Sequence, residues 1–319
     1  MKITLCLLAK NAAQTVGRML ESVEGVYDEL VALDTGSQDD TPSMLVEYGA
    51  RLLPTAETVW YLAPQDSPDG EGRIDFAACR NKLLAAATGD WVVSLDADEW
   101  AHEGEYWRQA VEGSAEIGYD ALVFAQHAVD SAGRLAEVAQ CVRAFRRAPE
   151  VFWVRPVHNY VTGYARPYVP DLHIFAAYDD LRSRWERSMP ALLRLHVEHP
   201  EDYDVPMYIA KAFLSMGAFA TAEGWAKQAA VIAGAAGVEE ATSNAWAIFA
   251  RACVCRRGAA GAKQVCGLPS DAPDYWWAVA KAALERWEQR SRASTPGWPS
   301  TTVNFVALSP QARGMLGMH

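Results

Sequence analysis

Ser94-Leu95-Asp96-Ala97-Asp98-Glu99 ends the apolar run Trp91-Val92-Val93 with three carboxyl groups in four residues. Carboxylates this close repel one another unless something positive sits between them. A divalent cation is the obvious candidate. Mg²⁺ and Mn²⁺ take oxygen ligands and are commonly held by one or two carboxylates together with a substrate's phosphates, so the pattern also points to a phosphate-bearing ligand. Asp is common in turns after strands for hydrogen-bonding reasons of its own. A solvated loop is therefore the competing reading of Asp96-Ala97-Asp98 taken alone.

A second chemical oddity lies just upstream. At 100° per residue, Phe76, Leu83, Leu84 and Ala87 form one apolar stripe of a helix capped near Asp75, and Arg80 falls inside it. Such a guanidinium either snorkels out to solvent or a core-edge carboxylate, or is aimed into a crevice at a phosphate or an acidic loop.

The charge distribution narrows the ligand. Residues 1–100 hold 7 Lys+Arg against 17 Asp+Glu, a net of −10 out of −11 for all 319 residues. An acidic domain does not attract phosphate by itself, which favours an intervening metal and disfavours, without excluding, a nucleic-acid partner. With 50% hydrophobic and 22% charged residues, the chain has the material for two ordinary domains. No apolar run reaches membrane-spanning length, and the N-terminal segment turns polar at Lys10-Asn11 without a small-residue cleavage site, so a cytoplasmic protein is expected. Cys6, Cys79, Cys141, Cys253, Cys255 and Cys266 lack zinc-site spacing and are read as buried free thiols.

The elements that must position these groups alternate. Strand-like runs at Ile3–Leu8, Glu29–Leu33, Ala50–Leu53 and Trp91–Leu95 are separated by helical patterns over Ala13–Ser22, after Asp40-Thr41-Pro42, and from Asp75 to Thr88, with a Pro-, Asp- and Gly-rich loop at 64–72. This βαβ series implies a mainly parallel sheet. Ligands of open parallel sheets lie beyond the carboxyl ends of the strands, where Lys10-Asn11, Asp34-Thr35-Gly36-Ser37 and Asp96-Ala97-Asp98 all begin.

Lys10-Asn11, Val31 to Thr41 (VALDTGSQDDT), Asp75 to Leu84 (DFAACRNKLL) and Gly89 to Glu99 (GDWVVSLDADE), in this order, resemble glycosyltransferase family 2, in the branch whose catalytic domain precedes tetratricopeptide-like helices. The resemblance implies a GT-A, Rossmann-like α/β domain, read over 1–180; the helical period that follows gives a helical domain over 181–293, and the Pro-, Gly-, Ser- and Thr-rich composition after Ser294 an extended tail over 294–319. The resemblance further implies a nucleotide-sugar donor, usually a UDP-sugar, and a Mn²⁺ or Mg²⁺ ion. Asp34 would lie near the base or ribose, with Ala9, Lys10 and Asn11 bordering the base. Arg80 and Asn81 would line the nucleotide side, and Asp96, Ala97 and Asp98 would form the Asp-x-Asp segment at metal and diphosphate.

Chemistry agrees with that assignment, because breaking a glycosyl–phosphate bond leaves a diphosphate whose growing charge needs stabilising, a task suited to a metal held by Asp98. The family inverts at the anomeric carbon, which calls for a base near the acceptor hydroxyl or thiol. Downstream, strands over 118–126 and 138–146, joined by a turn at Ser131-Ala132-Gly133, would form the acceptor side, with Val151–Val157 leading into His158-Asn159. Relatives commonly carry His-Glu there after a basic aromatic segment, here Arg143-Ala144-Phe145-Arg146. His158 is then a third metal ligand or a diphosphate contact, or a hydrogen-bonded histidine under a loop. Asn159 cannot be a carboxylate base, which leaves Glu99, Asp130 and Asp171 as candidates.

From about Arg182 the period is helical: Trp185–Leu195, Pro206–Met216, Ala218–Ala233, Val238–Arg257 and Tyr275–Gln289. Ile209, Ala210, Phe213, Ala222 and Ala229 match one tetratricopeptide repeat, with Ala226 and Gly234 replacing its aromatic and proline. A helical cap or a homodimer contact competes with a partner-binding role. Most of the twelve tryptophans read as core residues, and Trp100, next to the acidic segment, as a possible border of the donor or acceptor site. Three readings follow: a metal-dependent glycosyltransferase acting on a glycan, a protein or peptide, or a modified nucleobase; a nucleotide-sugar-binding protein whose chemistry lapsed at Asn159; and a helical interaction module on an inert α/β base.

Overall fold

The computed structural model describes residues 1–266 apart from 68, 69, 71, 130–134 and 178–180. Two compact units divide the chain, one holding Met1–Asp179 and the other beginning at Asp180.

In the first unit, β1 (Ile3–Ala9) consists of seven residues that are all buried, as a central strand covered on both faces must be. α1 (Val16–Ser22), β2 (Glu29–Asp34), α2 (Thr41–Glu47) and β3 (Arg51–Leu53) follow, then a small ribbon of β4 (Trp60–Leu62) and β5 (Arg73–Ile74), α3 (Phe76–Ala86) and β6 (Trp91–Asp96). β7 (Glu99–Ala101), α4 (Trp107–Glu116), β8 (Ala121–Val129), β9 (Leu135–Arg146), β10 (Phe152–Val154), β11 (Tyr160–Thr162), β12 (Pro167–Tyr168) and β13 (His173–Ala177) complete it. One nine-stranded sheet runs β3-β2-β1-β6-β9-β8-β13-β7, with β12 beside β8. Its first four strands are parallel, as the βαβ alternation requires. β9 reverses the direction between β6 and β8, and β7 lies antiparallel on β13, so the whole is mixed.

Two apolar layers flank the sheet. One gathers Met19, Leu20, Leu45 and Trp107 against Leu5, Leu7, Val93 and Phe124, and the other gathers Leu83, Leu84 and Trp153 against Leu33, Val92 and Phe145. Trp91 and Trp107 are core residues, as expected, whereas Trp60 is 40% exposed. Cys6, Cys79 and Cys253 are buried free thiols, with burial pushing Cys6 up to about 12. Cys255 is exposed instead.

Local chemistry moves several boundaries. α1 begins at Val16 rather than Ala13: residues 13–15 form a turn closed by the Thr15 amide on the Ala12 carbonyl (2.9 Å), while the Ala12 and Ala13 amides donate to Thr41 Oγ1 (2.7 Å) and Asp39 Oδ2 (3.1 Å). The strand expected from Gly118 begins at Ala121, after a turn in which Gly118 has a φ of 85°. The Ser131–Gly133 turn lies outside the described residues.

The second unit is helical: α5 (Leu181–Glu198), α6 (Asp204–Ser215), α7 (Phe219–Ala235) and α8 (Glu239–Cys266), the last broken at Gly258 (φ 70°, ψ 172°). Ala222, Ala226, Ala229, Ala230 and Ala233 are buried along α7, where their small side chains let α6 and α8 approach closely. Ile209, Ala210, Ala222 and Ala229 are all buried. The segment 275–289 and the tail after Ser294 lie outside the described residues. No helix among the described residues is long and apolar enough to cross a membrane.

Candidate active site

Register brings the polar strand ends together. Ala9 pairs with Asp34 across β1 and β2, and Leu8 with Asp96 across β1 and β6, so the three chain segments leave the sheet along one edge. The first two ends are interlocked. Asn11 adopts a left-handed φ of 50°; its amide donates to Ser37 Oγ (2.7 Å), and its side-chain oxygen accepts from the Gln38 amide (2.8 Å). Asp34 is buried and accepts from the amides of Gly36 (3.1 Å) and Ser37 (3.0 Å) and from the Ser37 hydroxyl. The Ala9 carbonyl accepts from the Thr35 amide (2.9 Å). Lys10 is exposed beside them.

The acidic segment forms a tight turn, with Ala97 buried and Asp98 exposed at its tip, between β6 and β7. α3 is capped by Asp75, whose carboxylate accepts from the Ala78 amide (2.8 Å), and this fixes the helix that carries Arg80 toward the turn. Arg80 is 4% exposed: one Nη donates to Ser94 Oγ at 2.9 Å, the other pairs with Asp96, and the guanidinium lies 4.7 Å from the Trp153 ring. Its Nε is buried and has no hydrogen-bond partner among the described residues. Asn81, read as lining the nucleotide, spends its amide on the Trp153 backbone in both directions (2.8 Å each), fastening β10 to α3.

Arg143 is the group that sequence reasoning missed. Leu122 pairs with Ala144 and Val123 with Val142, so Arg143 is the extra residue of a β-bulge, a device that re-aims a side chain. Its guanidinium, 7% exposed, reaches both Glu99 and Asp96 (3.6 Å to Oδ2). Glu99 is 1% exposed; its carboxylate accepts from Arg143, from the Gln126 side chain and, at 2.8 Å, from the Asp96 amide. Burial pushes Glu99 above the usual carboxylate range, and Arg143 opposes that push. A carboxylate closed in by three donors does not reach an acceptor, so Glu99, expected as a base candidate, instead ties the turn that presents Asp96 and Asp98.

The other candidates separate. His158 and Asn159 are half-buried on the loop between β10 and β11, where His158 and Arg155 have left-handed φ values of 51° and 75°, and the Pro156 carbonyl accepts from the Phe76 amide at 3.0 Å. Among the described residues, no three His, Cys, Asp or Glu side chains are arranged to hold a metal, so His158 does not close a three-ligand set with Asp96 and Asp98. The turn itself offers only carboxylate oxygens, which are the donors a hard cation takes alongside phosphates. Asp171 is exposed and bonded to His173, and Asp130 lies outside the described residues.

Comparison with known proteins gives the family. A TPR repeat-containing protein of Synechococcus elongatus is 30% identical over 245 residues, covering 71% of this chain and 56% of that protein. Glucosyl-3-phosphoglycerate synthase of Mycolicibacterium smegmatis is 32% identical over 100 residues, 30% of each chain. The chain thus spans about half or less of the length of these relatives. A crystal structure of Staphylococcus aureus TarS with UDP-GlcNAc aligns over 92% of both chains at 15% identity and a TM-score of 0.40. The family model for glycosyl transferase family 2 matches residues 4–169, more than half of this chain, and the chain belongs to that family.

Proposed function

We propose that this protein transfers a sugar from a nucleotide-sugar, a UDP-sugar first of all, to a hydroxyl or thiol of an acceptor with inversion at the anomeric carbon. The observation that carries the reading is the Asp96-Ala97-Asp98 turn, held at the carboxyl edge of the parallel strands by Arg80, Arg143 and Glu99. Family membership supports it.

In this reading the interlocked Asn11, Asp34 and Ser37 segment borders the base and ribose, and its prior ordering reduces the entropy lost on binding. Asp98, with Asp96, would hold Mn²⁺ or Mg²⁺ together with the donor's phosphates, and the cation would offset charge on the departing diphosphate. Arg80 and Arg143 keep Asp96 in place, and His158 contacts the diphosphate from its loop.

Calorimetry of UDP binding tests the donor half: affinity should rise at least tenfold with Mn²⁺, and an affinity unchanged by EDTA overturns the cation bridge. A mass-spectrometric screen of UDP-sugars against glycan, peptide and nucleobase acceptors tests transfer. Asn159, which cannot take a proton, favours one second reading, nucleotide-sugar binding without turnover. Tight UDP-sugar binding with neither transfer nor hydrolysis would select it.

A further inference from the structure

Glycosyl transfer needs a proton acceptor, and among the described residues neither Glu99, which is closed in, nor Asn159, a neutral amide, offers one. A chain of imidazoles next to the turn does. His173 Nε2 lies 2.9 Å from Asp171 Oδ1, and His173 Nδ1 lies 2.9 Å from His127 Nε2. If His173 donates its Nε2–H to the carboxylate, its Nδ1 lone pair accepts the Nε2–H of His127, which leaves a lone pair on His127 Nδ1.

The sheet carries this chain beside the site. Trp100, two residues beyond Asp98, pairs with Phe175 across β7 and β13, and Phe175 pairs with His127 across β13 and β8. The rings form a row, Trp100 on Phe175 (centroids 5.7 Å, 20°) and Phe175 on His127 (5.0 Å, 23°). Two strand spacings, about 10 Å, separate Trp100 from His127. Arg18 covers the Trp100 ring at 3.7 Å.

We propose that His127, oriented through His173 by Asp171, is the base that takes the acceptor's proton, an inference that rests on the glycosyl-transfer reading. In the step, the acceptor O–H proton moves to His127 Nδ1 while the oxygen bonds to the anomeric carbon. The bond from that carbon to the diphosphate breaks, and its electron pair leaves on the diphosphate. His173 and Asp171 are positioning residues that fix the tautomer and ring orientation of His127. Burial, and the neighbouring His173 and His102, lower His127 from its ordinary value, in the direction that favours the neutral base. Besides these, the charged groups among the described residues near the chain include Asp171, Glu103 (3.9 Å from His102) and Arg18.

Two measurements on the full chain test this. Nitrogen NMR of ¹⁵N-histidine protein should find neutral His127 protonated at Nε2, with a titration that shifts in Asp171→Asn. A proton on Nδ1, or a titration indifferent to Asp171, overturns the chain. Hydrolysis of UDP-glucose and UDP-N-acetylglucosamine, with water as acceptor, should fall roughly 100-fold in kcat for His127→Gln, with donor KM unchanged and the acid limb of the pH profile lost. Wild-type kcat in His127→Gln overturns the base. Wild-type protein that shows the NMR signature but neither hydrolyses nor transfers would sink the glycosyl-transfer reading, and the catalytic assignment of His127 with it, while the hydrogen-bonded chain stands.

Discussion

Replacing Arg143 with Met should cost the first unit more stability than any single change at its surface. Glu99 is 1% exposed and Arg143 7%, so removing the guanidinium leaves a buried carboxylate with only Gln126 and the Asp96 amide to satisfy it. Breaking a buried pair from one side costs about 3–5 kcal/mol, chiefly as uncompensated charge. Asp96 loses little, because Arg80 still holds it. In Arg143→Met/Glu99→Gln the charge disappears along with its partner, while the amide oxygen can still accept from the Asp96 amide. That double variant should recover most of the loss and lie within about 2 kcal/mol of wild type. For a unit of this size the single variant should melt roughly 6–20 °C lower. Urea unfolding followed by circular dichroism gives the free energies. The pH dependence has a definite sign: a buried carboxyl with a raised pKa is relieved by protonation, so the deficit of Arg143→Met should narrow as pH falls through that pKa. A loss under 1 kcal/mol, or a double variant no better than the single, would refute the claim that Arg143 compensates Glu99.

Glu29 gives a second pH effect of opposite sense: burial raises its carboxyl, but hydrogen bonds from Thr4, Thr88 and Arg51 outweigh this and bring it to about 2. Its stabilisation, about 2 kcal/mol after solvent screening, is present above the ordinary value of 4.5 and lost as pH falls from about 5 toward 2; acid unfolding of Glu29→Gln should lack that component. Asp98→Asn should abolish the Mn²⁺ enhancement of UDP affinity without moving Tm, and calorimetry with and without EDTA would show an unchanged enhancement if Asp98 has no part in it. Gly104→Ala should destabilise by about 1–3 kcal/mol, since a Cβ there would sit 1.8 Å from the Ser22 carbonyl oxygen; an unaltered denaturation midpoint would show that this contact relaxes freely.

What could be read from the sequence was local. Asp75 caps α3 through the amide of Ala78, three residues on, and β1 and β6 are apolar enough to declare themselves central strands. Arg80 stood out because a charge within a helical stripe breaks a 3.6-residue period, and its partners proved to be Ser94 and Asp96. Arg143 had no such signal. In a strand the side-chain period is 2, and a bulge resets it, so the extra residue that turns toward Glu99 cannot be told from its outward neighbours without the pairing register. β7 was hidden for a related reason: three residues carry too little pattern, and only their seat on β13 makes them a strand.

Separation in sequence decides the remainder. Gln126 meets Glu99 across 27 residues and His127 meets His173 across 46, pairings that exist only because β13 lies between β8 and β7. The two contacts belong to adjacent residues of one strand, which alternate between its faces. Gln126 therefore braces the acidic turn while His127 joins the imidazole row, so one strand supports the donor side with one face and the proposed acceptor side with the other. A one-residue slip of β8 against β13 would exchange the two, which makes the register of this strand pair a condition of the proposed chemistry as well as of the fold.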